Sequence, residues 1–428
     1  MPKRPAELDL FSRHECRSHV EKVQWSEINT STVVSNDVQS LIFTIPKASD
    51  RKMIDLMRTQ LMVDVLFTKV GGSSDNNAFA PVNNTLHSLF SDCIIYINGN
   101  AVYDSNKNYH YSAYLLDLLD TTKEQKEGLM TSQLWHEDRT GYFDKTSNTN
   151  TGFAKRAVLA GKSIPLIGRL HSELFNQERY MISDVEITVE LTLAKDTFYL
   201  MSAQTGTGKY KTTINDARLY VPYVQIAENT MDDIKSQLKT KPMIYPVQRV
   251  HTKTIPINMS SSEFVLEISK GRLPKRVVVG IITDAAKTGA YAKNPYKFVG
   301  ASDGVFEISK IELNVDGMPY AKRALKPDFK ADDYYKTFMN LYDSLNFIHD
   351  GSNAPSISLE KFKGGYALFP FSLNANCASD PGVFKSEGDV TLDISFKANP
   401  TEALQAVVLC IFDSELELDK DRNVKKDW

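Results

Sequence analysis

A β-branched run ending in an Asx-Gly turn occurs twice in this 428-residue chain, and a short amphipathic helix follows each time. In the first copy, residues 91–104 read SDCIIYINGNAVYD. Ile94, Tyr96 and Asn98 alternate with Ile95 and Ile97, the period of two that marks a strand. Asn98-Gly99 supplies two residues that tolerate positive φ, as the centre of a type I′ hairpin requires. Ala101-Val102-Tyr103 returns as the second arm. Tyr111, Tyr114, Leu115, Leu118 and Leu119 then recur at three and four, one apolar face of a helix.

In the second copy, Ile308, Ile311 and Leu313 are the apolar residues of a strand over residues 308–314. Val315-Asp316-Gly317-Met318 turns the chain. Tyr334, Tyr335, Phe338, Leu341, Tyr342 and Leu345 form the following helix. The two turns lie about half a chain length apart, as two similar domains in tandem would place them. Coincidence also accounts for the spacing, because Asx-Gly hairpins are common.

Further strands are expected over residues 21–28, 39–45, 61–70, 162–170, 184–194 and 217–226, then 247–257, 263–269, 277–283, 366–372, 389–396 and 403–412. Pro165 marks 162–170 as an edge strand or a bulge. Many short strands, few helices and regular turn signals predict an all-β sandwich or jelly roll in each half. The expected divisions are an N-terminal arm, 1–20; a first β domain, 21–228; a linker with a short polar helix, 229–245; a second β domain, 246–418; and a charged tail, 419–428, ending in an exposed Trp428. Residues 140–155, 283–300 and 350–365 read as long loops.

Hydrophobic residues make up 42% and charged residues 24%, enough apolar material for a core in each half. A formal net charge of −3 gives no basic excess to neutralise phosphates, so direct sequence-specific nucleic-acid binding is not expected. No apolar run approaches the roughly 18–20 residues of a membrane span, and no secretory signal is visible. Cys16, Cys93, Cys377 and Cys410 are scattered, with Cys93 and Cys410 in apolar strands as reduced core residues.

Chemistry-bearing motifs are weak. Gly206-Thr207-Gly208-Lys209 lacks the earlier glycine and the following Ser or Thr of a phosphate loop; Ala203 and Tyr210 stand there. His14, His19, His87, His110, His136, His171, His251 and His349 include no pair spaced as strand ligands, so a metal site would have to be composite. Trp135-His136-Glu137-Asp138-Arg139 reads as a solvated loop anchored by the Trp. His87, Ser88 and Asp92 do not read as a triad. Tyr109, Tyr111 and Tyr114, with Tyr334, Tyr335 and Tyr342, have acidic neighbours, Asp117, Asp120, Asp332, Asp333 and Asp343, which repel phosphate. These rings are expected to anchor helix to sheet. No catalytic, cofactor-binding or metal-binding residue is assigned, and no cofactor is expected.

Several blocks resemble the major capsid proteins of Polinton/Maverick elements and adintoviruses. They are residues 81–138, including Gly128-Leu129-Met130-Thr131-Ser132-Gln133-Leu134-Trp135; residues 271–296, GRLPKRVVVGIITDAAKTGAYAKNPY; Leu325-Lys326-Pro327-Asp328-Phe329; Gly364-Gly365-Tyr366-Ala367-Leu368-Phe369; and residues 418–424. The blocks fall in order across nearly the whole chain, and the N-terminal arm matches least. The resemblance implies a double jelly roll, two tandem eight-stranded antiparallel rolls with short helices in the loops. It implies a non-enzymatic protein that forms a homotrimer, a pseudo-hexagonal capsomer tiling an icosahedral shell. Its partners would be neighbouring capsomers and a penton or minor capsid protein, in a virion assembled inside the host cell. On this reading loops 140–155 and 283–300 form tower tips or intersubunit contacts. The arm, the tail and the two hairpin–helix units would be rich in contacts. The alternative functions are a tandem jelly-roll module for carbohydrate or another ligand, motivated by the Tyr-rich loops, and a jelly-roll metalloenzyme, motivated by fold analogy alone.

Overall fold

The computed structural model describes residues 19–34, 38–71, 79–204, 209–302, 304–320, 324–348, 355–373 and 387–428. Residues 206–208 of the glycine-rich loop, Cys16, Cys377, His14, His349 and nearly all of the 1–20 arm lie outside these. The strands of the first half are β1 (Val20–Asn29), β2 (Ser40–Ile45), β3 (Lys52–Ile54), β4 (Gln60–Lys69), β5 (Phe79–Pro81), β6 (Phe90–Ile97), β7 (Asn100–Asp104), β8 (Ser163–Arg169), β9 (Ile187–Leu193), β10 (Leu200–Ser202) and β11 (Tyr210–Ile226). They form two main antiparallel sheets, ordered β1-β11-β4-β8 and β2-β9-β6-β7. The first strand pairs with the last and the second with a late one, which is jelly-roll winding.

The second half repeats the scheme. Its strands are β12 (Met243–Ile257), β13 (Glu263–Ser269), β14 (Arg276–Thr283), β15 (Ala301–Ser302), β16 (Phe306–Val315), β17 (Met318–Pro319), β18 (Leu368–Ser372), β19 (Val390–Phe396), β20 (Leu404–Leu418) and β21 (Val424–Lys426). The sheets run β12-β20-β14-β18 and β13-β19-β16-β15, with β17 on β16 and β21 on β20. The chain is therefore an all-β double jelly roll. The hairpin β6–β7 has β16–β17 as its counterpart. Their turns are alike: Asn98 and Gly99 have φ of 48° and 81°, Asp316 and Gly317 of 50° and 75°. Both are the left-handed centres that the Asx-Gly pairs predict.

Burial follows the strand period. In β4, Leu61, Val63, Val65 and Phe67 are buried while Met62, Asp64, Leu66 and Thr68 are half-buried. Val390, Leu392, Ile394 and Phe396 of β19 do the same. Pro165 lies in β8, at the edge of its sheet, where a missing N–H costs no ladder bond from a further strand. By contrast, β14 is buried at every position from Val277 to Ile282, and β20 from Leu404 to Phe412. Strands buried on both faces read as unbroken apolar runs. Cys93 and Cys410 are free and buried.

The helices are short: α1 (Thr85–Ser88), α2 (Tyr109–Asp120), α3 (Lys123–Glu127), α4 (Thr151–Ala157), α5 (Asp196–Tyr199), α6 (Glu228–Leu238), α7 (Asp284–Thr288), α8 (Tyr335–Ser344) and α9 (Leu359–Gly364). Each β-hairpin is followed by its helix, α2 or α8. Four segments depart from expectation, two of them the stretches 283–300 and 350–365, read as loops, which contain α7 and α9. The 140–155 stretch contains the start of α4, capped by Asn150, whose side chain accepts the Phe153 N–H. The tail is not loose: β21 pairs with β20, and Trp428 is half-buried, its ring 5.8 Å from the Arg249 guanidinium. A cationic neighbour and the sheet edge cover a ring that composition alone leaves exposed.

Candidate functional site between the two rolls

The polar chemistry of this chain collects where the two rolls meet, and α2 is its axis. Asn108, the residue before α2, donates from Nδ2 to the Thr252 carbonyl of β12 at 3.2 Å, and Ser112 donates to Thr252 Oγ1 at 2.7 Å. Tyr109, Tyr111 and Tyr114 are buried. Tyr114 stacks on Trp135 on one side and on Tyr296, from the second half, on the other. The Tyr296 hydroxyl is 2.7 Å from Ser88 Oγ in α1.

Beside this stack lies a buried ion pair. Arg156 of α4 places Nη2 2.6 Å from Asp138 Oδ1, and both side chains are essentially inaccessible, at 0% and 1%. Arg156 also donates from Nε to the Pro81 carbonyl at 2.7 Å and from Nη1 to the His136 carbonyl. Asp138 Oδ1 accepts from Asn150 at 2.8 Å, and Oδ2 accepts from Asn294 of the second half at 2.9 Å. An ion pair survives such burial only when its remaining donors and acceptors are filled, as they are here. Asp144 continues the line. It accepts the Asn294 N–H at 2.8 Å and pairs with Lys297 at 2.7 Å. Glu137 pairs with Lys361 at 2.6 Å.

One expectation is corrected by this geometry. Trp135 is buried as the anchor expected of it, but the loop is not solvated throughout: Asp138 is buried too, because Asn150, Arg156 and Asn294 close on its carboxylate. Loops 140–155 and 283–300 are joined to each other by Asp144, Asn294 and Lys297, whose polar groups satisfy one another across the seam.

At the other end of α2 a second network is centred on Asp117. His171, just past β8, donates from Nε2 to Asp117 Oδ1 at 3.0 Å. Asn84 and Gln133 donate to Asp117 Oδ2 at 2.7 and 3.2 Å. His87 lies between Tyr109, 3.0 Å from Nδ1, and Gln133 Oε1, 3.3 Å from Nε2. Burial, with His171 nearby, lowers the His87 pKa to about 3, so its ring is neutral at physiological pH. Burial pushes the Asp117 carboxyl up, but His171 and His87 outweigh it and leave the group below its usual value. Asp117 and His171 open onto a cleft of ≈ 890 Å³ whose far wall includes Val250, Arg272 and Arg276 of the second half. Glu173 crosses it, accepting the Val250 N–H at 3.0 Å. Burial raises the Glu173 pKa to about 8.

The sequence-level candidates are thus dispersed. Ser88 turns to Tyr296, His87 to Tyr109 and Gln133, and Asp92 accepts from Ser105 at 2.6 Å, so no triad forms. The rings of the first tyrosine cluster are buried but tie α2 to neighbouring helices and loops, at Trp135, Tyr296, Phe198 and His87, whereas Tyr335 of the second is 60% exposed. Arg156, Asn150, Asn294, Glu173 and His171 carry the seam without having been singled out. Asn150 before Thr151 and Phe153 was a readable helix cap. The others become visible only when the fold brings distant segments together.

No family model matches the sequence. An uncharacterized Caenorhabditis elegans protein is 22% identical over 391 residues, covering 88% of this chain and 90% of that protein. Among solved structures, the fold is similar to that of the Sputnik virophage, with a TM-score of 0.64 and 11% identity over 100% of this chain and 92% of that chain. The PBCV-1 virus capsid gives a TM-score of 0.61 and 11% identity, covering 96% of this chain and 98% of that one. The mavirus major capsid protein gives 0.52 and 12%, covering 100% and 95%.

Proposed function

We propose that the chain is a structural major capsid protein of the Polinton/Maverick and adintovirus kind. Three copies form a pseudo-hexameric capsomer, and capsomers tile an icosahedral shell. The observation that carries this reading is the tandem of two equivalent rolls, similar along nearly the whole chain to capsid proteins. Two like rolls per chain turn threefold symmetry into a near-sixfold outline, which tiles a surface. The buried seam suits the role, since such an outline needs a fixed angle between rolls. The division into arm 1–20, rolls 21–228 and 246–418, linker 229–245 and tail 419–428 belongs to the same proposal, as do neighbouring capsomers, a penton or minor capsid partner, assembly in the host cell and a non-catalytic role. Strand β1 offers one contact surface: it is an outer strand of its sheet, with Trp25 50% and Val23 38% exposed. The carbohydrate reading loses its motive for the first tyrosine cluster, whose rings are buried.

The test is the mass of the purified full-length chain by multi-angle light scattering across concentration and salt, with negative-stain images. Particles of three chains with hexagonal outlines are expected. A monomer under every condition refutes the proposal.

A further inference from the structure

We infer that His87, Asp117 and His171 form a binding site for a transition-metal dication of the zinc class, at the inner end of the cleft between the rolls. The three residues come from α1, from α2 and from the segment after β8, and one ligand atom from each lies within 4.8 Å of the others. His171 Nε2 and Asp117 Oδ1 are 3.0 Å apart. Adjacent ligands on a tetrahedral ion bound at roughly 2.0–2.1 Å stand about 3.3–3.4 Å apart, so the pair has only a few tenths of an ångström to open. Two imidazoles and one carboxylate favour zinc, iron, cobalt or manganese over calcium and magnesium, which prefer all-oxygen shells.

The surroundings are built as outer support for ligands. Asn84 and Gln133 both hold Asp117 Oδ2, which leaves Oδ1 turned to His171. The Tyr109 hydroxyl is 3.0 Å from His87 Nδ1, which orients that ring, and accepts from the His171 backbone N–H at 3.3 Å, which holds the segment carrying the second histidine. Outer partners of this kind fix ring orientation and tautomer at metal sites. His87 has one bond to release, the longer 3.3 Å contact from Nε2 to Gln133 Oε1. Its proton moves to Nδ1, where the Tyr109 oxygen accepts it, and the proton that His171 Nε2 shares with Asp117 moves to the Nδ1 of that ring, so both rings stay neutral. His87 is fully buried, while Asp117 and His171 line the cleft. The cleft therefore supplies both the entry path and the open position for water that three protein ligands leave. The site stands apart from assembly, so its failure would not touch the capsid reading, nor the reverse.

The experiment uses the full-length chain, stripped with chelator and titrated with zinc chloride by calorimetry and with cobalt chloride by absorption. One equivalent per chain is expected. His171→Asn should abolish binding, and Tyr109→Phe should weaken it ~10–100-fold. His19→Asn, at an exposed histidine, should leave it unchanged. His171→Cys should keep cobalt binding and add a thiolate charge-transfer band, which places the ion at that residue even where His171→Asn does not fold. Less than half an equivalent in the unsubstituted protein, unchanged binding in His171→Asn, or no thiolate band in His171→Cys each overturns the proposal.

Discussion

The rings of Tyr114 and Tyr296 lie parallel, with centroids 3.8 Å apart and planes 4° apart, although one belongs to α2 of the first roll and the other to a loop of the second. The stack is a direct weld between halves. Tyr296→Ala is expected to cost about 3–5 kcal/mol, the usual range for removing a buried aromatic. Tyr296→Phe keeps the stack and loses the bond to Ser88, at about 1 kcal/mol. Urea denaturation of the two variants separates these contributions.

Arg156 and Asp138 should be strongly asymmetric under substitution. Arg156→Met alone leaves a buried carboxylate without its charge partner and is expected to cost about 3–5 kcal/mol. Adding Asp138→Asn should recover a large part of that loss, because the unpaired charge is gone. A double-mutant cycle in urea measures the recovery.

The glycines of the two hairpins should respond alike. Gly99 and Gly317 have φ of 81° and 75°, and a Cβ at either meets nothing within 4 Å. Alanine there is expected to cost about 1–2 kcal/mol from backbone strain alone. Gly152 is different: its Cβ would stand 2.3 Å from the Glu137 carbonyl oxygen. Gly152→Ala should therefore destabilise more than either hairpin variant in thermal melts, since backbone must move at the seam.

Stability should carry two opposed pH slopes. Glu173 keeps its proton up to about 8 when folded but releases it near 4.5 when unfolded, because burial disfavours the charge. Its contribution is complete below about 4.5 and fades as pH rises toward 8. His110 is lowered to about 3 by burial, so its contribution is complete above 6.5 and fades as pH falls toward 3. Glu173→Gln should flatten the first slope and His110→Phe the second, in melting temperatures recorded across that range.

The rolls were legible in the residues because strand period and turn chemistry are local. Asn98-Gly99 and Asp316-Gly317 predict their hairpins, and Val185, Ile187, Val189, Leu191 and Leu193 predict one apolar face, of which the structure buries the first four and half-buries Leu193. The eight-strand winding came from resemblance, not periodicity. The seam was not legible. Asp138 sits in a charged run that reads as solvated, and nothing near it in sequence announces Asn294 or Arg156. Charge in a linear string carries no sign of the groups that will neutralise it. His87, Asp117 and His171 show the same limit, since their spacing matches no local ligand pattern. The end of β20 was missed for another reason. Residues 413–418, Asp-Ser-Glu-Leu-Glu-Leu, are mostly polar, and it is β12 along all six and β21 at Leu416–Leu418 that hold them as strand.

The shared ownership of Asp138 has an evolutionary corollary. Its two oxygens are claimed by opposite halves, Arg156 and Asn150 on one side and Asn294 on the other. Cut apart, the first half would show water a bare carboxylate oxygen and the flat side of Tyr114, and the second would strand Asn294 and Tyr296. Rolls bound by such mutual dependencies cannot evolve into solitary proteins without replacing them, and separately expressed halves should recover solubility only in each other's company.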